Sequence, residues 1–177
     1  ICGKLTIEGN SHETVIGANA FNGCSVLDGI ILPSTLKTIG NNAFYNSGLK
    51  TITVPNSVTT IGDNCFENNT KLTTVTIGSG CKTLPASVFE GCSLLSNVTL
   101  PDGLTTISNK AFAHCTSLTS ISIPGTVTSV GTTTISSEYL PFYGCTALKS
   151  VRFEDGASDI ILGSRFVYSS NIGAGLF

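Results

Sequence analysis

Apolar residues return along this chain in a fixed order, and the order repeats. Residues 107–129 read ISNKAFAHCTSLTSISIPGTVTS, with apolar positions at an Ile, an Ala-Phe pair, a Cys, a Leu, an Ile-x-Ile and a Val. Phenylalanine marks the period. Phe21, Phe44, Phe66, Phe89 and Phe112 follow one another at 23, 22, 23 and 23 residues, and Phe142 and Phe177 continue the series at wider intervals. Self-similarity at such a period means a solenoid, because a unit too small to bury its own apolar side must stack on its neighbours.

Aligned on the phenylalanine, six units run 16–38, 39–60, 61–83, 84–106, 107–129 and 130–159, with the shared pattern I-G-x-x-A-F-x-G-C-x-x-L-x-x-I-x-I-P-x-x-V-x-x. Residues 1–15 read as a partial repeat through Leu5-Thr6-Ile7, and 160–177 as a truncated seventh repeat with an insertion at 164–175. The L-x-x-I-x-I segment alternates with period two and predicts a short strand. Parallel stacking of these strands makes a sheet along one face, and Pro33, Pro55, Pro101 and Pro124 end the pairing. The A-F-x-G-C segment has the inward spacing of a single helical or 3-10 turn, which places short helical turns on the other face. Asn41, Asp63 and Asn109 suit a cap or turn ahead of it. Gly23, Gly91 and Gly144 mark a positive φ.

Two units depart from the pattern. The second reads Phe44-Tyr-Asn-Ser-Gly-Leu49, one residue short and without the cysteine. The sixth carries seven extra residues in GTTTISSEYLP before the motif resumes at Phe142, and a solenoid expels such insertions as loops on one face.

Composition narrows the setting more than the fold. Only 11% of the residues are charged and the net charge is -2, so the surface is built from Thr, Ser, Asn and Gly. No basic block exists to neutralise phosphates, which argues against nucleic acid. No apolar run approaches the roughly 20 residues of a membrane span. Residues 1–5 are no signal peptide and no Met is present, so the sequence reads as a mature or excised segment.

Candidate chemistry is sparse. Of the seven cysteines, Cys24, Cys92, Cys115 and Cys145 each follow a series phenylalanine by three residues, which makes them one repeat position expected inside as small, weakly polar side chains. A bond between adjacent coils is the alternative where geometry allows, and the absence of CxxC speaks against zinc. Cys2 reads as a leftover thiol, or as a lipid-modified anchor if the mature chain began there. His114 beside Cys115 is better read as a surface-turn histidine than as half of a nucleophile pair, since turn neighbours point apart. His12 lies in a loop. Glu154, Asp155 and Asp159 lack the ligand spacing of a calcium loop and read as a solvated turn. The Asn-x-Thr matches at Asn68 and Asn97 are of the chance kind, and Gly78-Ser-Gly80 is a strand-end turn. No catalytic residue, cofactor or metal site is expected.

IGANAFNGC at 16–24, IGNNAF at 39–44, ISNKAFAHC at 107–115 and the strand segment LTSISIP at 118–124 resemble the BspA-type leucine-rich repeats of bacterial surface proteins, also found in some parasitic protists. The resemblance implies a right-handed leucine-rich repeat solenoid and a cell-surface or secreted setting, with adhesion to host proteins or to other cells; the partner expected for the repeated faces is a host or bacterial surface protein or glycan. It carries no catalytic motif and no shared binding signature.

Binding residues must therefore be placed by geometry. Residues flanking the first buried Ile of each strand face outward. They form two rows: Gly29, Thr51, Thr74, Asn97, Ser120 and Ser150, then Ile31, Thr53, Thr76, Thr99, Ser122 and Arg152. The rows stand either as ordinary solvated sheet, since Thr favours strands and pairs across ladders, or in part as a contact surface. At the C-terminal end Arg152, Tyr139, Tyr143 and Lys149 combine charge and aromatic rings, and Tyr and Arg are favoured interface anchors. A recognition or adhesion module is the first reading and a structural spacer the second. Open solenoid ends also predict end-to-end self-association.

Overall fold

The computed structural model describes residues 3–8, 14–131, 139–154 and 161–162. The chain winds as a parallel β-solenoid of the leucine-rich repeat type, each coil giving one strand to each of two walls. The first wall holds β1 (Gly3–Thr6), β3 (Leu27–Ile31), β5 (Thr51–Thr53), β7 (Thr74–Thr76), β9 (Asn97–Thr99), β11 (Ser120–Ile123) and β13 (Ser150–Phe153). The second holds β2 (Thr14–Ile16), β4 (Leu36–Ile39), β6 (Thr60–Ile61), β8 (Thr83–Leu84), β10 (Thr106–Ile107), β12 (Ser129–Val130) and β14 (Ile161–Leu162). In the first wall β1 pairs with β3, β5 with β7 and β9, and β11 with β13; β3 abuts β5 and β9 abuts β11 to continue it. In the second, β2-β4-β6 abuts β8, and β8-β10-β12-β14 runs on. All the pairings are parallel.

The first wall is the sheet expected from L-x-x-I-x-I. The second was not foreseen, because two-residue strands are too short to show an alternation. Its sequence signal is a register column of hydroxyls, Thr38, Thr60, Thr83, Thr106 and Ser129, followed by Ile39, Ile61, Leu84, Ile107 and Val130 on the inside.

Between the walls, the A-F-x-G-C segments are not helical, which corrects the expectation of helical turns. Two residues in each of the first five segments and one in the sixth have positive φ: Asn19 (58°), Asn42 (55°), Asn64 (58°), Ser87 (54°) and Lys110 (57°) two places before the phenylalanine, and Gly23, Asn46, Asn68, Gly91, His114 and Gly144 two places after it. A right-handed helical turn needs negative φ throughout, whereas Asn and Gly are the residues that enter the left-handed region most readily. The backbone N–H groups then alternate in purpose. Those of Ala20, Asn22 and Cys24 close tight turns onto Gly17, Asn19 and Phe21, while those of Asn19, Phe21 and Gly23 reach the next coil at Asn41, Ala43 and Tyr45, 2.7–2.9 Å away. The same alternation recurs at Phe44, Phe66, Phe89 and Phe112, so the turn side is a third hydrogen-bonded ladder. Positive φ at Gly23, Gly91 and Gly144 agrees with the sequence reading.

Inside, equivalent side chains stack into columns. Phe21, Phe44, Phe66, Phe89, Phe112 and Phe142 form a continuous ring stack with centroids 5.1–5.5 Å apart and planes within 19° of parallel. The insertion before Phe142 leaves the stack uninterrupted; residues 132–138 of it lie outside the described residues, as do Cys2, His12, Asp155, Asp159, the segment at 164–175 and Phe177. Cys65 takes the alanine column beside Ala43 and Ala111, and Cys81 the valine column beside Val58 and Val127; both are buried. Thiols substitute there for small apolar groups.

The cysteine column ties coils together. Cys92, Cys115 and Cys145 donate from Sγ to the carbonyls of Phe66, Phe89 and Phe112 in the preceding coil, at 3.0–3.2 Å. Asn69 stands in that column without a thiol. It is fully buried, its Nδ2 donates to the carbonyls of Phe44 (2.7 Å) and Phe66 (2.8 Å), and its Oδ1 accepts from Ser47 Oγ (2.5 Å). Ser47 is the residue of the shortened second unit that takes the cysteine position, so one polar pair fills two places of the column.

Candidate functional site

The outward rows exist in register. Thr51, Thr74 and Asn97 lie side by side, as do Thr53, Thr76 and Thr99, and Ser120 with Ser150 and Ser122 with Arg152 extend both rows. Thr51, Thr53, Asn97, Thr99, Ser120, Ser122 and Arg152 are exposed, and Thr74 and Thr76 half-buried between their neighbours. At the other end Gly29 is buried, while Ile31 is 53% exposed and pairs in register with Thr6. The inward partners Ile52, Val75, Ile121 and Val151 are buried, so backbone alternation alone sets the rows.

What these hydroxyls do not do distinguishes them. Elsewhere, hydroxyls are spent on the stack: Thr59, Thr105 and Thr128 donate to the carbonyls of Lys37, Lys82 and Thr105, and Thr73 and Thr116 to those of Lys50 and Ser93. Among the described residues, Thr51, Thr53, Thr74, Thr76 and Thr99 make no side-chain hydrogen bond, whereas Ser122 donates to Glu154 (2.8 Å) and Asn97 to Ser96 (3.2 Å). The strand wall thus offers an uncharged, open hydroxyl array, closed at one end by Arg152 and the carboxylate of Glu154.

The C-terminal grouping expected from the sequence divides in two. Arg152 lies in β13 of the strand wall, and Lys149 directly precedes that strand. Tyr139 and Tyr143 flank Phe142 on the turn side, where they meet residues of the preceding coil. The Lys110 ammonium stands 5.4 Å from the Tyr139 ring centroid, and it pairs with Glu90 Oε1 at 3.3 Å. The His114 ring packs edge-on to Tyr143 with centroids 5.3 Å apart. Further along this side Asn68 Nδ2 donates to the Tyr45 hydroxyl (3.1 Å), and Asn64 Nδ2 donates to the Glu67 carboxylate. Burial pushes the Glu67 carboxyl up, the Asn64 bond pulls it down, Glu90 pushes it up again and Lys110 offsets part of that.

Lys110, Glu90 and Tyr45 were missed as site residues. For Tyr45 and Glu90 a signal was present, because they directly follow a series phenylalanine as Glu67 and Tyr143 do; for Lys110 the linear order held none. His114 is exposed and Cys115 buried, as the turn reading requires, and burial holds the thiols of Cys92 and Cys145 up at about 12 and raises those of Cys65, Cys81 and Cys115. Cys24, Cys65, Cys81, Cys92, Cys115 and Cys145 are free. Among the described residues no group of three or more His, Cys, Asp or Glu side chains is placed to hold a metal ion, and no helix is long and apolar enough to cross a membrane.

Parallel strands wound into coils over aliphatic and phenylalanine columns define a leucine-rich repeat solenoid. The chain belongs to the BspA type leucine rich repeat family, whose model matches residues 14–141 in 6 copies. The leucine rich repeat protein of T. pallidum shares this fold, with a TM-score of 0.63 at 24% identity over 78% of this chain and 73% of that one. A leucine-rich repeat protein from Bacteroides ovatus is 31% identical over 78% of this chain and 46% of that one, with a TM-score of 0.47. A structure described as a leucine rich cell surface protein from Faecalibacterium prausnitzii aligns at 20% identity and a TM-score of 0.40 over 98% of this chain and 63% of that one. The chain therefore spans less than two thirds of the length of the last two. None of the curated proteins matches it.

Proposed function

We propose that this chain is a non-enzymatic recognition module, set at a cell surface or secreted, that binds a surface protein or glycan through its strand wall. The observation that carries the reading is the hydroxyl array: Thr51, Thr53, Thr74, Thr76 and Thr99 stand open while neighbouring threonines tie coil to coil. A stacked wall presents its groups at about 4.8 Å from strand to strand, so a partner meets a rigid lattice and little ordering is lost on contact. Family membership agrees with a repeat-based role, and neither fold nor family brings a catalytic set.

A second reading, a spacer within a larger surface protein, is favoured by the two stacked strand walls and the turn-side ladder, which resist bending without needing a ligand. An array of immobilised extracellular-matrix proteins and bacterial surface glycans separates the two. The recognition reading predicts saturable binding to at least one component, weakened by the Thr53→Lys/Thr76→Lys variant and by Arg152→Ala. Saturable binding to nothing on the array favours the spacer.

A further inference from the structure

We infer that the turn side carries a separate saccharide-binding patch, centred on Tyr139 and Tyr143 and completed by Lys110, Glu90 and His114 from the coils before. This goes beyond the strand-wall reading and rests on a different face. Tyr139 is 47% exposed and Tyr143 36% exposed, so both rings remain open to solvent although each is braced by a neighbour. Their backbones are locked to the preceding coil: Lys110 N–H donates to the Tyr139 carbonyl (3.1 Å) and His114 N–H to the Tyr143 carbonyl (2.7 Å). The rings are therefore presented on a stiff ladder rather than on a free loop, and binding costs little further ordering.

The chemistry around the rings selects the ligand class. A neutral pyranose has a C–H face that packs on an aromatic π-face, and hydroxyls at its edge that both donate and accept. Here the Lys110 ammonium over the Tyr139 ring can donate, the Glu90 carboxylate paired with Lys110 can accept, and the His114 imidazole against Tyr143 can do both. A protein hot spot is different, needing a desolvated apolar pocket with water-excluding contacts around it. The other exposed large apolar residues among those described, Leu5, Val15, Val26, Ile31 and Leu94, lie outside the turn segments and supply no such surround. Lys110 compensates Glu90 at 3.3 Å and Glu67 interacts with both, so the patch carries no surplus positive charge, which favours an uncharged sugar over an acidic one.

Titration of the whole chain with neutral tetrasaccharides of glucose, mannose and N-acetylglucosamine, read by tyrosine fluorescence and by heat, tests this. The expected result is millimolar or tighter binding of at least one sugar, weakened about tenfold or more by Tyr139→Ala, the loss of roughly one good aromatic contact. Tyr143→Ala and Lys110→Met weaken it in the same direction, while Thr53→Lys/Thr76→Lys leaves it unchanged, and melting curves show that each variant stays folded. The inference is overturned if no tetrasaccharide binds, if binding survives Tyr139→Ala and Tyr143→Ala together, or if the strand-wall variant abolishes it. Failure of the sugar titration leaves the array result on the strand wall standing, and the converse holds.

Discussion

Replacing Asn69 by alanine tests the internal logic of the stack, because one side chain there serves two coils. The substitution removes donors to the carbonyls of Phe44 and Phe66 and strands the Ser47 hydroxyl, which is 6% exposed. Phe44 O retains the N–H of Ser47 at 3.3 Å and Phe66 O retains the thiol of Cys92 at 3.2 Å, so the carbonyls are weakened and not orphaned. Three buried neutral hydrogen bonds at about 0.5–1.5 kcal/mol each give a loss of about 2–4 kcal/mol. For a chain of this size that lowers the melting temperature by about 5–12 °C. Asn69→Cys rebuilds the column as in the coils of Cys92 and Cys115, with a thiol able to donate to Phe44 O. Its cost is expected to be no more than about half that of alanine. Urea unfolding followed by circular dichroism measures both. A loss of less than about 0.5 kcal/mol for the alanine variant, or a cysteine variant as unstable as the alanine one, would refute the shared role of Asn69.

Other consequences follow from particular contacts. A Cβ on Gly78 would come within 2.5 Å of the Pro55 carbonyl group in the coil before, so Gly78→Ala is expected to destabilise by about 1–3 kcal/mol in the same unfolding assay. Alkylation of the native protein, mapped by mass spectrometry, is expected to mark Cys24 well before Cys65, Cys92, Cys115 or Cys145, whose burial withholds both access and thiolate; labelling of Cys115 at the rate of Cys24 would refute the buried column. Because the folded state raises the Glu67 carboxyl, its contribution to stability is fully present below the ordinary carboxylate range and is lost as pH rises through the raised value. Glu67→Gln is then expected to raise the melting temperature at neutral pH, with the difference shrinking on acidification; a difference that grows on acidification would contradict it.

The strand wall was legible in the sequence because Ile121 and Ile123 alternate with Ser120 and Ser122, and the stack because Phe and Cys recur at one spacing. The turn geometry was misread for a physical reason. Ala, Phe and Cys spaced as on a helix show which side chains face inward, but the handedness of the backbone is carried by the residues between them. Asn19, Asn42 and Asn64 at one place and Gly23, Gly91 and Gly144 at the other announce positive φ, but only the glycines were read so, and the cap reading fell on the neighbouring Asn41, Asp63 and Asn109. The candidate site was half legible. Period two placed the hydroxyl rows, yet nothing in the linear order shows that Lys110 reaches Tyr139 across a 29-residue interval lengthened by the insertion. Period two did place Arg152 in the strand row, but nothing in the linear order shows that Tyr139 and Tyr143 stand on a different side of the coil from it.

Recognition through the strand wall is tested most directly by binding isotherms of the wild type and of Thr53→Lys/Thr76→Lys on whichever array component the chain selects, with Tyr139→Ala beside them. A partner held by the hydroxyl rows gives a saturable wild-type isotherm that the lysine pair abolishes at unchanged melting temperature, and that Tyr139→Ala leaves in place for a protein component. A saturable isotherm that the lysine pair does not move would contradict the account.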